Sequence, residues 1–180
     1  TSFGFDVSDD ALSISARFLT ENREASIALL RAALMEPRFD ADAIERVRGQ
    51  VIANIKSNQK DPNKIASQTF DKIAFGDHPY GSSLNGTLDS VAALTRDDLL
   101  EAHRNVLARD RIYVGAVGDI TPDELGNLLD DLLGDLPAEG AAMPPRAEVD
   151  IPPGTTLVDF ATPQSVAIFG QPGIAQDDPD

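Results

Sequence analysis

The hydrophobic repeat changes period once near the N-terminus, and that change limits the fold more than any other feature. From Ala11 to Leu19 apolar and polar residues alternate, with Leu12, Ile14, Ala16 and Phe18 on one side and Ser13, Ser15 and Arg17 on the other. A repeat of two marks a half-buried strand. Phe3, Phe5 and Val7 alternate likewise, and Ser8-Asp9-Asp10 supplies turn residues, so the chain opens on a β-hairpin. From about Asn22 to Met35 the repeat lengthens. Ile27, Leu30 and Leu34, with Ala33 filling in, make one face of an amphipathic helix that Pro37 stops. Strands followed by helices point to an α+β chain.

More helices follow. Asp40 caps one that runs to about Asn58, with Ile44, Val47, Val51 and Ile55 at helical spacing. Asp61-Pro62 combines a cap with proline at the first helical position and opens another, to about Phe75. Residues 76–86 are a loop by composition. Thr95 to Asp98 is a capping box with Asp in the Glu/Gln position, starting a helix through Leu107. Thr121-Pro122-Asp123-Glu124 starts a last helix, to about Leu133. Between these two helices, Arg111 to Val117 is a nearly continuous apolar run of strand length, expected to be buried on both faces. Pro137 to Gly154 has no period and reads as a linker. Two short β-like runs, 156–161 and 165–169, come after it.

The chemistry available is narrow. Among 180 residues there is no cysteine, which removes disulfides, thiolate metal sites and thiol catalysis, and there are only two histidines, His78 and His103. A net charge of −15 works against binding to nucleic acid or an anionic membrane. No apolar stretch approaches the ~18 residues that a membrane span requires, and Thr1 to Asp6 lacks the cationic start and apolar run of a signal peptide. Gly81 to Gly86 has the glycine spacing of a phosphate loop, but Thr87 stands where the lysine must be. Asp6, Ser8 and Asp10 mimic the start of a calcium loop without its glycine or final glutamate. The pairs Asp97/Asp98 and Asp130/Asp131 diverge by ~100° on their helices, so each reads as a solvated face. Both histidines read as capping or packing residues.

Taken in order, several stretches resemble the insulinase/pitrilysin family of zinc metallopeptidases, the inverzincins. They are Phe39-Asp40 into Arg48-Gly-Gln-Val-Ile-Ala-Asn54, Asp61-Pro62, His78-Pro79-Tyr80-Gly81 with Gly86, Leu94 to Leu99, Val114-Gly-Ala-Val-Gly-Asp119 and Gly134-Asp-Leu-Pro137. The resemblance covers nearly the whole chain. It implies an insulinase/processing-peptidase-like domain with a mixed, largely antiparallel sheet packed against several helices. Residues 1–138 would be one such domain lacking its first strand and helix, 139–153 a linker, and 154–180 the opening strands of a second, homologous domain.

In catalytic members an inverted His-x-x-Glu-His helix holds zinc, whose bound water attacks the peptide carbonyl. A third ligand ends a downstream segment of the form Glu-Arg-x-Val-apolar-apolar-x-Glu. No His-x-x-Glu-His occurs in this chain. In the downstream segment Arg48 and Val51-Ile52 match, while Asn54 stands at the position of the third ligand and Val47 at the supporting acidic position. An amide brings no charge to offset a dication. Asn54 is therefore read as a polar residue near the buried flank of its helix, hydrogen-bonded to a neighbour. A register with Glu45 as ligand would need a two-residue slip through the matched Arg and Val.

The resemblance thus implies the non-catalytic half or subunit, which closes a peptide chamber and helps bind peptide for a zinc-bearing partner. No catalytic or metal residue and no cofactor is expected in this chain; zinc is expected in the catalytic partner or in an upstream motif. The expected partners are a catalytic insulinase-family subunit or domain, as in a bacterial heterodimer, and a peptide. Two alternatives stand beside it: a segment of an active zinc endopeptidase whose motif lies upstream, and a non-enzymatic assembly or scaffold member. Bacterial relatives suggest the periplasm by analogy; a cysteine-free chain fits the cytoplasm equally.

Overall fold

A computed structural model describes residues 1–174. Among the described residues two antiparallel strands and six α-helices make an α+β chain. It divides into two compact units, one of residues 1–44 and 94–142, the other of residues 45–93 and 143 onward.

In the first unit, β1 (Ser2–Val7) pairs with β2 (Leu12–Arg17) from Ser2↔Arg17 to Val7↔Leu12. The turn is closed by the Ser8 amide donating to the Ala11 carbonyl at 2.9 Å, while the Ala11 amide donates to Ser8 Oγ at 3.2 Å. This is the expected hairpin, and it accounts for Ser8 without a cation. Leu12 and Ile14 are half-buried on one face. Ile14 and Phe3 pack on a core of Leu30 and Leu34 from α1 (Arg23–Met35) and Leu132 from the last helix of the unit, α6 (Pro122–Leu133). Each buried leucine contributes roughly 1.5–3 kcal/mol relative to exposure. Outside this core, Arg31 Nε donates to the Asp131 carbonyl at 2.8 Å and its guanidinium pairs with Asp135, fastening α1 to the end of α6.

The second unit holds most of α2 (Ala41–Asn58), then α3 (Pro62–Phe75) and α4 (Leu88–Ala93), with Ile55, Ala74 and Val91 buried. Asp61 caps α3 as expected, its carboxylate accepting from the Asn63 amide at 2.8 Å. Gly76 ends α3 at φ +57°, a left-handed conformation that glycine adopts without penalty. The helix α4 was not read from the sequence. It starts at Thr87, whose hydroxyl accepts from the Ser90 amide at 3.1 Å. The fifth helix, α5 (Arg96–Val106), returns to the first unit and begins with the complete Thr95–Asp98 capping box.

Three expectations are corrected. The run 111–117 forms no strand: a one-turn 3-10 segment covers Arg109–Arg111, and Tyr113 and Val117 are essentially fully exposed. A strand exists only where a neighbour takes up its amides and carbonyls. Among the described residues β1 and β2 pair only with each other, so the apolar run has no ladder to join. For the same reason the runs 156–161 and 165–169 form no ladder; among the described residues the sheet is the β1–β2 hairpin, antiparallel as expected and packed against helices. Finally, Val47 is not on the buried face of α2. Ile55 is buried with Arg48, Val51 and Ile52 half-buried, whereas Val47 is 49% exposed.

Candidate functional site

At 100° per residue, Ala43, Val47, Gln50 and Asn54 fall on one stripe of α2, away from the direction of Ile55. Val47 and Asn54 are seven residues apart, ~10.5 Å along the axis and ~20° in azimuth. Both are exposed. The expected placement of Asn54 on the buried flank is therefore corrected: its side chain faces solvent and bonds to no other described residue. The two positions singled out by the resemblance do share an accessible face. That face carries no carboxylate.

The neighbouring Arg48 is a structural residue. Its side chain is 16% exposed; Nε lies 3.1 Å from Glu45 Oε1, and Nη1 donates to the Val91 carbonyl in the last turn of α4. A cation suits the carbonyl end of a helix. Glu45 is therefore engaged in an ion pair, and its azimuth is ~160° from that of Val47.

Both histidines are tied to the backbone. His78 precedes the 3-10 turn Pro79–Gly81 and caps it, with Nδ1 accepting from the Tyr80 amide at 3.2 Å. Its Nε2 lies 3.0 Å from the Pro145 carbonyl. A carbonyl only accepts, so Nε2 donates there, and the ring is the neutral Nε2–H tautomer. His103 Nε2 lies 2.7 Å from the Leu34 carbonyl, to which it donates near the end of α1; the ring meets Phe39 edge-on. This is the capping and packing role expected of them. Among the described residues no group of three or more His, Cys, Asp or Glu side chains could hold a metal ion.

The shifted acids mark helix ends rather than a reaction centre. The Thr95 hydroxyl, then its amide, holds Asp98 below the usual carboxylate range. The Thr121 amide does the same to Glu124, and the Asn63 amide to Asp61. Lys72 lowers Asp77 and Arg111 lowers Asp110, each in an ion pair with its neighbour, the first exposed and the second half-buried. Among the described residues no shifted group lines a cleft with a second catalytic candidate, the pattern that points to acid–base chemistry. Among the described residues no helix is long and apolar enough to cross a membrane.

Residues 93–180 match the family model described as the peptidase M16 inactive domain. A Helicobacter pylori protein named non-peptidase homolog YmxG is 27% identical over 171 residues, 95% of this chain and 40% of its own length. An uncharacterized zinc protease of Mycobacterium leprae is 30% identical over 132 residues, 73% of this chain and 30% of its own. The probable mitochondrial-processing peptidase subunit beta of Schizosaccharomyces pombe is 26% identical over 111 residues, 62% of this chain and 24% of its own. Among solved structures, a peptidase M16 inactive domain from Pseudomonas fluorescens has a TM-score of 0.71 at 23% identity, covering 79% of this chain and 35% of that one. The chain thus spans 40% or less of the length of these proteins. The family model begins at residue 93, after the α2 stripe, so the character of Val47 and Asn54 rests on their own chemistry.

Proposed function

We propose that this chain, a member of the peptidase M16, or insulinase, family, acts there as the non-catalytic half or subunit. In this reading it closes the peptide chamber and helps bind peptide for a separate, zinc-bearing partner chain. The observation that carries the proposal is the uncharged stripe of α2. By the resemblance, Val47 and Asn54 stand at the family's acidic positions, and a dication held there would meet a methyl surface and a neutral amide. The histidines support it, because each already donates a ring N–H to a backbone carbonyl. Zinc in the partner would supply the activated water; this chain supplies walls and peptide contacts. Residues 1–138 are proposed as one insulinase-type domain, joined through 139–153 to a second, homologous one.

The name of the Helicobacter relative, a non-peptidase homolog, agrees with this reading. The names of the mycobacterial relatives, uncharacterized zinc proteases, favour a second one, in which the chain is part of an active endopeptidase with its zinc motif upstream. The test is reconstitution. The full-length protein carrying this chain is mixed with a homologue bearing His-x-x-Glu-His, and association and peptide hydrolysis are measured. Hydrolysis that needs both proteins, and is lost when the homologue's motif is mutated, is the expected result. Hydrolysis by the full-length protein alone contradicts the proposal.

A further inference from the structure

The two ring nitrogens of His78 serve two different elements. Nδ1 caps the turn Pro79–Gly81, and Nε2–H holds the carbonyl of Pro145, 67 residues on. A few residues further the same strap is bonded again, the Asp150 amide donating to the Ala74 carbonyl near the end of α3 at 3.0 Å. Beyond it, the Phe70 ring of α3 lies against Gly170, where an added Cβ would fall 2.7 Å from Cζ. All of these contacts lie within the second unit.

We propose that His78 is a proton-sensitive latch fastening the 143–150 strap to the C-terminal end of α3. The latch works only as a neutral ring. An imidazolium carries N–H on both nitrogens, so Nδ1 would turn a donor toward the Tyr80 amide, itself a donor. Keeping that proton requires the ring to turn away, and turning also withdraws Nε2–H from Pro145. On α3 and the loop the charged groups are Lys64, Asp71, Lys72 and Asp77; Lys72 and Asp77 are paired with each other at 2.9 Å, and Asp77 is fully exposed. The phenol of Tyr80 belongs to a ring that stands edge-on to His78 at 4.7 Å and to Phe75 at 5.5 Å. On the strap the charged groups are Arg146, Glu148 and Asp150. The strap is therefore fastened by the neutral ring and loosened when the ring takes up a second proton.

Two substitutions separate the two nitrogens. His78→Asn keeps an acceptor at the Nδ1 position and loses the donor to Pro145; His78→Gln keeps a donor near the Nε2 position and loses the cap. Neither titrates. The test is amide exchange, as protection factors corrected for intrinsic pH dependence, on the full-length protein and both variants, with His78 titration followed by NMR in the same samples. In the wild type, protection at Tyr80 and Asp150 falls together, by tenfold or more, as His78 protonates, while α3 amides before Ala74 hold. In His78→Asn, Asp150 is poorly protected at every pH and Tyr80 is protected throughout. In His78→Gln, Asp150 stays protected without pH dependence. Asp150 protection that does not change as wild-type His78 titrates overturns the proposal, as does the wild-type pH dependence persisting in both variants.

Discussion

The start of α6 allows a quantitative test of how local chemistry fixes this fold. Thr121 Oγ accepts from the Glu124 amide at 3.3 Å, and Glu124 Oε2 accepts from the Thr121 amide at 2.9 Å and from its hydroxyl at 3.0 Å. Thr121→Ala removes the hydroxyl and two of these contacts but keeps the amide–carboxylate bond. Loss of a threonine cap costs about 0.5–2 kcal/mol; with the return bond intact the cost should be about 1 kcal/mol. For a chain of this size that lowers Tm by roughly 2–4 °C. Thr121→Ser, which retains the hydroxyl, should stay within ~0.5 kcal/mol of wild type. The carboxylate adds a pH signature. Glu124 is held below its ordinary range, first by the Thr121 amide and then by the hydroxyl, with Arg23 at 3.7 Å contributing. A depressed acid stabilises the fold above its ordinary value of about 4.3 and loses that contribution as pH falls through its lower folded value. Thermal melts by far-UV circular dichroism, from neutral pH into the acid range, compare wild type, the two Thr121 variants and Glu124→Gln. Glu124→Gln should lose less stability in acid than wild type. If Thr121→Ser is as destabilised as Thr121→Ala, or Glu124→Gln keeps the full acid slope, the capping argument is wrong.

Leu132→Ala should cost ~2–5 kcal/mol in urea unfolding, because Leu132 joins Leu30 and Leu34 in the core; Leu29→Ala, at a position 60% exposed, should cost under about 1 kcal/mol. His103→Leu should cost about 1–3 kcal/mol, since it leaves the Leu34 carbonyl without its side-chain donor. His103→Gln, which keeps a donor, should recover part of that loss in the same assay.

Elements closed by local chemistry were legible in the sequence. The hairpin turn, the Asp61-Pro62 start and both capping boxes depend on residues within a few positions of one another, and α3, α5 and α6 begin within a residue or two of where those signals put them. What failed depends on distant neighbours. Arg111 to Val117 has the composition of a buried strand, but pairing needs a second strand, and composition does not supply one. Val47 matches an apolar helical period, yet half-buried Arg48, bonded to the Val91 carbonyl, and Ile52 show that the packed face lies one residue further round. The same rotation exposes Asn54. The short helix α4 was missed because its signal is one Thr87 hydroxyl and six residues, too few to show a period. Of the candidate site, the residue types were readable; that Val47 and Asn54 share an open face came from the structure.

Metal content and activity, measured together, test the central claim most directly. The purified full-length protein and its Asn54→Glu and Val47→Glu/Asn54→Glu variants are equilibrated with zinc, freed of loose metal, and assayed for bound zinc and for hydrolysis of a quenched peptide. One or two carboxylates on α2 meet no imidazole pair and no general base in this chain, and the proposed reading puts the zinc motif in a separate partner, so the account predicts no stoichiometric zinc and no hydrolysis by any of the three alone. One tightly held zinc per chain in the unmodified protein, with hydrolysis that a chelator abolishes, would contradict it.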